Sequence, residues 1–227
     1  MKTKWNLNSF AWADEDKLPG FEKLLGSWIN VHRNFCEGAQ PNFSWEWGHN
    51  EHSQLGLLAD AGTLIGGISI RESWIRKDSE QRKGRNDLWL RLSPPDSEND
   101  YLIESKIEQY LGVVALDKAN KKIVEKMEAA RKNAQSLIGN PGKFVAMAFL
   151  SLRFADENLD PLEQKTSDLI SHIRNQVRVE QKLDAIGAIW MGAKDLQCSR
   201  EERKANNYSG GENVHFGMVL LASRITI

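Results

Sequence analysis

The longest apolar run of the chain, Phe144 to Leu150, limits what the protein can fold into. Its seven residues are far fewer than the roughly 20 that a helix needs to cross a bilayer. A short, continuously apolar segment of this kind is typical of a strand buried in a sheet. We therefore predict a soluble protein in which residues 144–154 form a buried strand of a central sheet.

Apolar periodicity on both sides of this strand predicts further helices and strands. The predicted helices span about 19–35, 50–61, 117–138 and 159–179, and the predicted strands about 64–75, 87–92, 101–106, 188–191 and 214–222. Asn50 is expected to cap the second helix and Gly62 to end it, and Gly66-Gly67 predicts a bulge in the first strand.

These elements predict an α/β fold with a mixed central sheet in a single domain that spans residues 1–227. Within it we expect a core of about 50–154, an N-terminal helical appendage at 1–40 and a C-terminal extension at 155–227.

Charge, cysteines and the N-terminus narrow the function classes. The net charge of -1 gives the whole molecule no long-range attraction for a polyanion, so nucleic-acid binding would need local basic patches. The two cysteines, Cys36 and Cys198, are far apart and argue against a disulfide framework or a cysteine-based zinc site. The first residues lack the apolar segment of a secretion signal, which predicts a cytoplasmic location.

One carboxylate-x-lysine pattern stands out from the others in the chain. Glu104-Ser-Lys106 follows the apolar triplet Tyr101-Leu-Ile, and Asp87 begins the preceding predicted strand. Alternation along a strand places Glu104 and Lys106 on one face, and carboxylates on adjacent strands can hold a hard cation such as Mg²⁺. Lys106 could then orient the attacking water and stabilise the negative charge of a transition state. The other four patterns, in helical or polar stretches, are Glu15-Asp-Lys17, Glu163-Gln-Lys165, Glu180-Gln-Lys182 and Glu202-Arg-Lys204.

Two segments, Gly84-Arg-Asn-Asp87-Leu-Trp-Leu and Tyr101-Leu-Ile-Glu104-Ser-Lys106, resemble the PD-(D/E)xK nuclease superfamily over roughly half of the chain. The resemblance implies a restriction-endonuclease-like core of helix, three strands, helix, strand. It implies that Asp87 and Glu104 bind Mg²⁺ (or Mn²⁺), and that Lys106 assists catalysis.

The resemblance also implies an acidic residue on the first core helix, a place that Glu51 matches. Glu46 is the rival for this role, but it precedes the helix that Asn50 caps. The proline of the motif is replaced here by Asn86.

The resulting hypothesis is a Mg²⁺-dependent nuclease that acts on DNA in preference to RNA, with the Ser105 backbone carbonyl as a further metal ligand. Arg82, Lys83 and Arg85, in the hairpin between the first two strands, are candidates for binding the phosphate backbone, and a solvated turn explains them equally well.

Two alternatives stay open at this point. The same fold could serve as an inactive module that binds nucleic acid or a protein partner, or Asp87 and Glu104 could do acid–base work in a different α/β enzyme. The pattern leaves undetermined whether the chain acts alone, as a homodimer or with a partner subunit.

Overall fold

A computed structural model describes residues 7–38, 50–77, 82–92, 100–112, 115–137, 139–155, 162–192 and 213–226. The elements, in chain order, are β1 (Leu7–Ala13), α1 (Phe21–Gly38), α2 (Glu51–Leu64), β2 (Ile68–Arg71), β3 (Trp74–Lys77), β4 (Arg82–Arg85), β5 (Leu88–Arg91), β6 (Asp100–Gly112), α3 (Leu116–Gln135), β7 (Lys143–Ala155), α4 (Leu162–His172), a π-helical segment (Ile173–Val177), α5 (Arg178–Glu180), β8 (Ala185–Met191) and β9 (Asn213–Ile225).

Among these residues, seven strands form one open sheet in the order β1-β8-β9-β7-β6-β5-β2, and β3 pairs with β4 in a separate two-stranded sheet. Strands β6 and β7 are parallel, whereas the other neighbouring strands of the large sheet are antiparallel. The predicted α/β fold with a mixed central sheet is therefore confirmed.

Both faces of the large sheet are covered by helices. On one face Trp28 of α1 and Leu58 of α2 belong to the same buried cluster as Phe149 of β7. On the other face Met127 of α3 packs in a cluster with Leu150, the next residue of β7. Successive side chains of a strand point to opposite faces, and both faces of this sheet are covered. The residues of β7 from Phe144 to Leu150 are therefore all apolar. The predicted buried strand is confirmed.

Helix α2 begins as predicted and ends later than predicted. The Asn50 side chain accepts a hydrogen bond from the His52 N–H (2.8 Å), which confirms the predicted cap. Gly62 does not end the helix, which continues to Leu64. A Cβ at residue 62 would lie 2.6 Å from Leu90 Cδ1, so the glycine permits α2 to approach β5 closely.

The single strand predicted at 64–75 is in fact two strands that belong to different sheets. Strand β2 ends at Arg71, Glu72 has a positive φ of 52°, and β3 begins at Trp74. The predicted bulge is also wrong, because Gly66 and Gly67 connect α2 to β2. A Cβ on Gly67 would lie 2.6 Å from the Arg91 carbonyl oxygen, so this turn needs a glycine.

The large sheet includes strands from all three predicted parts of the chain: the core, the N-terminal appendage and the C-terminal extension. Residues 1–40 contain β1 as well as the predicted helix, and β1 pairs along its whole length with β8. The predicted extension contributes β8 and also β9, which lies between β8 and β7. The N-terminal segment is therefore not simply a helical appendage. In the described ranges, no helix combines the length and the apolar character needed to cross a membrane.

Candidate active site

Strands β5 and β6 bring the two predicted carboxylates next to each other at the point where β5 begins. Their antiparallel register pairs Leu88 with Ile103. Asp87 directly precedes Leu88, and Glu104 directly follows Ile103, so the two residues occupy adjacent positions where β5 begins. The sequence predicted that Asp87 begins the strand next to the one that carries Glu104; Asp87 in fact lies one residue before β5, beside Glu104 of β6.

Asp87 is held in place by the backbone of β6. The Ser105 N–H donates a hydrogen bond to Asp87 Oδ2 over 2.7 Å. The other carboxylate oxygen, Oδ1, has no hydrogen-bond partner among the described residues. The protein therefore fixes one oxygen of Asp87. Because the residue is only half-buried, the other oxygen is left for a ligand or solvent.

The Ser105 hydroxyl connects Asp87 to the first core helix. Its Oγ lies 3.0 Å from Glu51 Oε1 and 3.3 Å from Asp87 Oδ2. A hydroxyl has one proton to donate, so it serves one of these carboxylates at a time. The structure therefore brings Glu51, the predicted acidic residue of the helix, to the predicted site. The hub role of the Ser105 side chain was missed, because the sequence analysis considered only its carbonyl.

Lys106 reaches the same cluster from the next position of β6. Its ammonium donates a hydrogen bond to the Ser105 carbonyl oxygen over 2.6 Å and lies 3.7 Å from Glu51 Oε1. The side chain is 30% exposed. The carbonyl that was predicted to bind metal thus accepts a hydrogen bond from Lys106, and the Lys106 ammonium lies beside Glu51.

Glu104 is the most buried of the charged residues in the set, with an exposed fraction of 2%. Strand alternation places it on the opposite face from Ile103, towards α3. Its register neighbour on β7 is Ala146, which packs against Ala130 and Ala134. The candidate site therefore includes both faces at the edge of β6, with Ser105 and Glu51 on the α2 side and Glu104 on the α3 side.

The residue that replaces the motif proline has a defined structural task. The Asn86 N–H donates to the Ser73 carbonyl oxygen over 3.0 Å, and the Asn86 side chain accepts from the Ser73 hydroxyl. Proline has no N–H and could not make the first bond. These bonds, together with that from the Glu72 N–H to the Asp87 carbonyl (3.0 Å), join the β3–β4 hairpin to the large sheet.

Of the three predicted phosphate-binding residues, the structure describes the side chain of Arg85. Its guanidinium lies 2.8 Å from Glu72 Oε2. Arg82 and Lys83 stand in β4, and their side chains lie outside the described residues. Glu46, the rival of Glu51, lies outside them as well.

A cleft of about 350 Å³ opens beside Asp87. Its lining residues come from α2, from the end of β2 and from the start of β5: His52, Leu55, Arg71, Glu72 and Asp87. The cleft therefore leads from the solvent to one of the carboxylates of the candidate site.

Across the described ranges, no group of three or more histidine, cysteine, aspartate or glutamate side chains is arranged to hold a metal ion. Comparison of the chain with protein-family models, with curated proteins and with solved structures finds no match. The functional conclusion therefore rests on the residues of the site itself.

Proposed function

We propose that the protein is a Mg²⁺-dependent nuclease that hydrolyses phosphodiester bonds, with DNA as the favoured substrate. The observation that carries the proposal is the cluster in which Ser105 bonds both Asp87 and Glu51 while Lys106 lies against Ser105 and Glu51. With the separate β3–β4 hairpin set aside, the order α2, β2, β5, β6, α3, β7 supports the restriction-endonuclease-like core that the resemblance implies.

The donor set fits a hard cation. Mg²⁺ and Mn²⁺ favour oxygen ligands, and Mg²⁺ commonly takes only one or two protein carboxylates and keeps several waters. Asp87 Oδ1, which has no protein partner among the described residues, would hold the ion from the α2 side of β6. The Glu104 carboxylate would be the second ligand, provided by a turn of its side chain from the α3 side to the strand edge that Asp87 occupies. When bound, it would neutralise charge on the phosphoryl group and lower the pKa of a coordinated water.

The chain's own residues supply the remaining chemistry. Lys106 presents a cation beside Glu51, where it can hold a water molecule and stabilise the charge that develops on the phosphoryl oxygens. The Ser105 carbonyl fixes the position of this ammonium, and the Ser105 hydroxyl fixes the carboxylates around it. Ser105 is therefore a positioning residue.

A second candidate is a non-catalytic module that binds nucleic acid or a protein partner. Two observations favour it, namely the burial of Glu104 and the hydrogen bond that engages the Ser105 carbonyl with Lys106. In such a module, Glu104 would serve only the packing on the α3 side of the sheet, and Lys106 and Ser105 would serve only to join α2 to it.

Cleavage assays separate the two candidates. We would incubate the protein with circular and linear duplex DNA, single-stranded DNA and RNA, in Mg²⁺, in Mn²⁺ and in EDTA. The nuclease is expected to cut DNA only with the cation, and cutting of circular DNA would identify an endonuclease.

The variants are Asp87→Asn and Lys106→Met, which keep the size of each side chain. Lys165→Met is the matched control, because it alters a glutamate-x-lysine pattern on α4. Circular dichroism and thermal melts verify folding. Loss of cleavage in the first two variants alone supports the nuclease. Binding without cleavage under every cation, or equal cleavage by all variants, contradicts it.

A further inference from the structure

The Arg71 guanidinium faces the cleft and has no carboxylate partner among the residues that the structure describes. Arg71 ends β2, is exposed, and lines the cleft together with Asp87. The acidic residues nearby have other partners: Glu72 pairs with Arg85, and Asp87 accepts from the Ser105 N–H. Within the described part of the chain, the side chain of Arg71 makes no hydrogen bond or ion pair. The five N–H donors of its guanidinium are therefore available to an anion.

The guanidinium lies against helix α2 at Gly56, a residue without a side chain. Its Nη1 is 3.2 Å from the position that a Cβ on Gly56 would take. An alanine there would favour the helix but would crowd the guanidinium. Gly26 of α1 provides a contrast, since a Cβ on that residue would meet nothing within 4 Å. The glycine at 56 thus gives Arg71 its place in the cleft.

We propose that Arg71 binds a backbone phosphate of a polynucleotide, adjacent to the scissile phosphate at the proposed cation site beside Asp87. The inference rests on the proposed nuclease function and names the contact that aligns the strand. A planar guanidinium can grip a phosphate through two parallel hydrogen bonds. A chain of net charge -1 must attract a polyanion through local groups of this kind.

Binding is measured without cleavage, using a fluorescently labelled DNA duplex in EDTA over a range of salt concentrations. Arg71→Ala should weaken binding on the order of tenfold at low salt, and should reduce the slope of log affinity against log salt by about 0.9. Arg71→Lys should keep the salt dependence and lose part of the affinity, because lysine offers no fork of donors. Arg33→Ala is the control, since Arg33 contacts Ser9 of β1 at the opposite edge of the sheet.

A second pair of variants tests the geometry without removing charge. Gly56→Ala should weaken binding less than Arg71→Ala does and leave the salt slope unchanged, whereas Gly26→Ala should change neither. An unchanged slope in Arg71→Ala, or no binding by the wild-type protein, overturns the inference. If wild-type protein binds through Arg71 but never cuts, the inference stands and the proposed nuclease function fails.

Discussion

Two glutamate-x-lysine segments of the chain, Glu15-Asp-Lys17 and Glu104-Ser-Lys106, have different roles in the structure. In the first, Glu15 accepts hydrogen bonds from the N–H groups of Gly20 (2.6 Å) and Glu22 (2.7 Å) near the start of α1. Lys17 donates to Asp184 Oδ1 over 2.8 Å. Both glutamate oxygens are used by the backbone, so this segment ties the N-terminal turn to the rest of the fold.

Asp184 completes that structural cluster. Its second oxygen, Oδ2, accepts the Arg224 N–H over 2.8 Å, and its backbone groups bond Asp14 and Ala222. These bonds join β1, β8 and β9 at one end of the sheet. Hydrogen bonds to Asp184 and Asp14 raise the pKa of Lys17 above its usual 10.5, as expected for an ammonium between two carboxylates.

The segment at Glu104 differs in how its charged groups are used. Lys106 lies 3.7 Å from Glu51 instead of in close contact, and Asp87 commits only one oxygen to the described protein. The same residue types thus act as a structural link in one place and leave ligand-binding capacity beside a cleft in the other. Saturation of the carboxylate oxygens, more than the sequence pattern, distinguishes the two clusters.

The largest expected effect is on catalysis. Lys106→Met should lower the initial rate of DNA cleavage on the order of 10²–10³-fold, because it removes a cation from the reaction centre. Lys17→Met, in the structural cluster, should leave the rate per folded molecule unchanged. Equal loss of rate in the two variants would remove the distinction between the clusters.

The next prediction concerns the Ser105 hydroxyl, which links Asp87 to Glu51. Ser105→Ala should reduce activity roughly 10–100-fold and raise the Mg²⁺ concentration needed for half-maximal rate, as loss of a group that orients metal ligands does. The control is Ser223→Ala, whose hydroxyl donates to the Lys182 carbonyl oxygen in the structural region. A Ser105→Ala protein with an unaltered Mg²⁺ dependence would show that the hydroxyl positions nothing that the reaction needs.

Substitutions in the structural cluster around Asp184 should change the stability of the fold instead of the cleavage rate. Asp184→Ala leaves the Arg224 N–H without its acceptor, so we expect the free energy of unfolding to fall by roughly 1–3 kcal/mol. Urea titration measures this loss, and cleavage assays on the folded fraction should show a normal rate. Unchanged stability together with a reduced rate would reverse the assignment of the two clusters.

The smallest effect concerns alkaline pH. The folded protein holds the Lys17 proton more tightly than the unfolded chain does, so the resulting stability is fully present below 10.5 and is lost as pH rises through the higher folded pKa. Because Lys17 is largely exposed, we expect about 0.2–1 kcal/mol. Comparing the pH dependence of unfolding between wild type and Lys17→Met isolates this contribution. A stability difference that persists unchanged above the folded pKa would contradict it.

The sequence predicted most of the elements that hold the site. The Asn50 cap, the buried strand β7 and the adjacency of Asp87 and Glu104 all follow from local signals, namely cap chemistry and apolar runs. Helix α3 was predicted at 117–138 and is found at Leu116–Gln135, because its apolar stripe repeats regularly.

Features set by distant contacts were missed. Strand β1 is short and pairs with residues far along the chain, so no local pattern identifies it. Gly62 looked like a helix end, yet it serves the packing of α2 on Leu90. The role of the Ser105 hydroxyl depends on how α2 docks on the sheet, which no strand pattern reveals.

The most direct test of the account is to locate a divalent ion by anomalous diffraction from crystals soaked in Mn²⁺. We expect one ion bonded to Asp87 Oδ1 and to a Glu104 carboxylate oxygen, with Lys106 nearby, and no ion in an Asp87→Asn crystal. An ion bound elsewhere in the wild-type protein, or none between Asp87 and Glu104 while their neighbours keep the same bonds, would contradict the proposed metal-dependent chemistry.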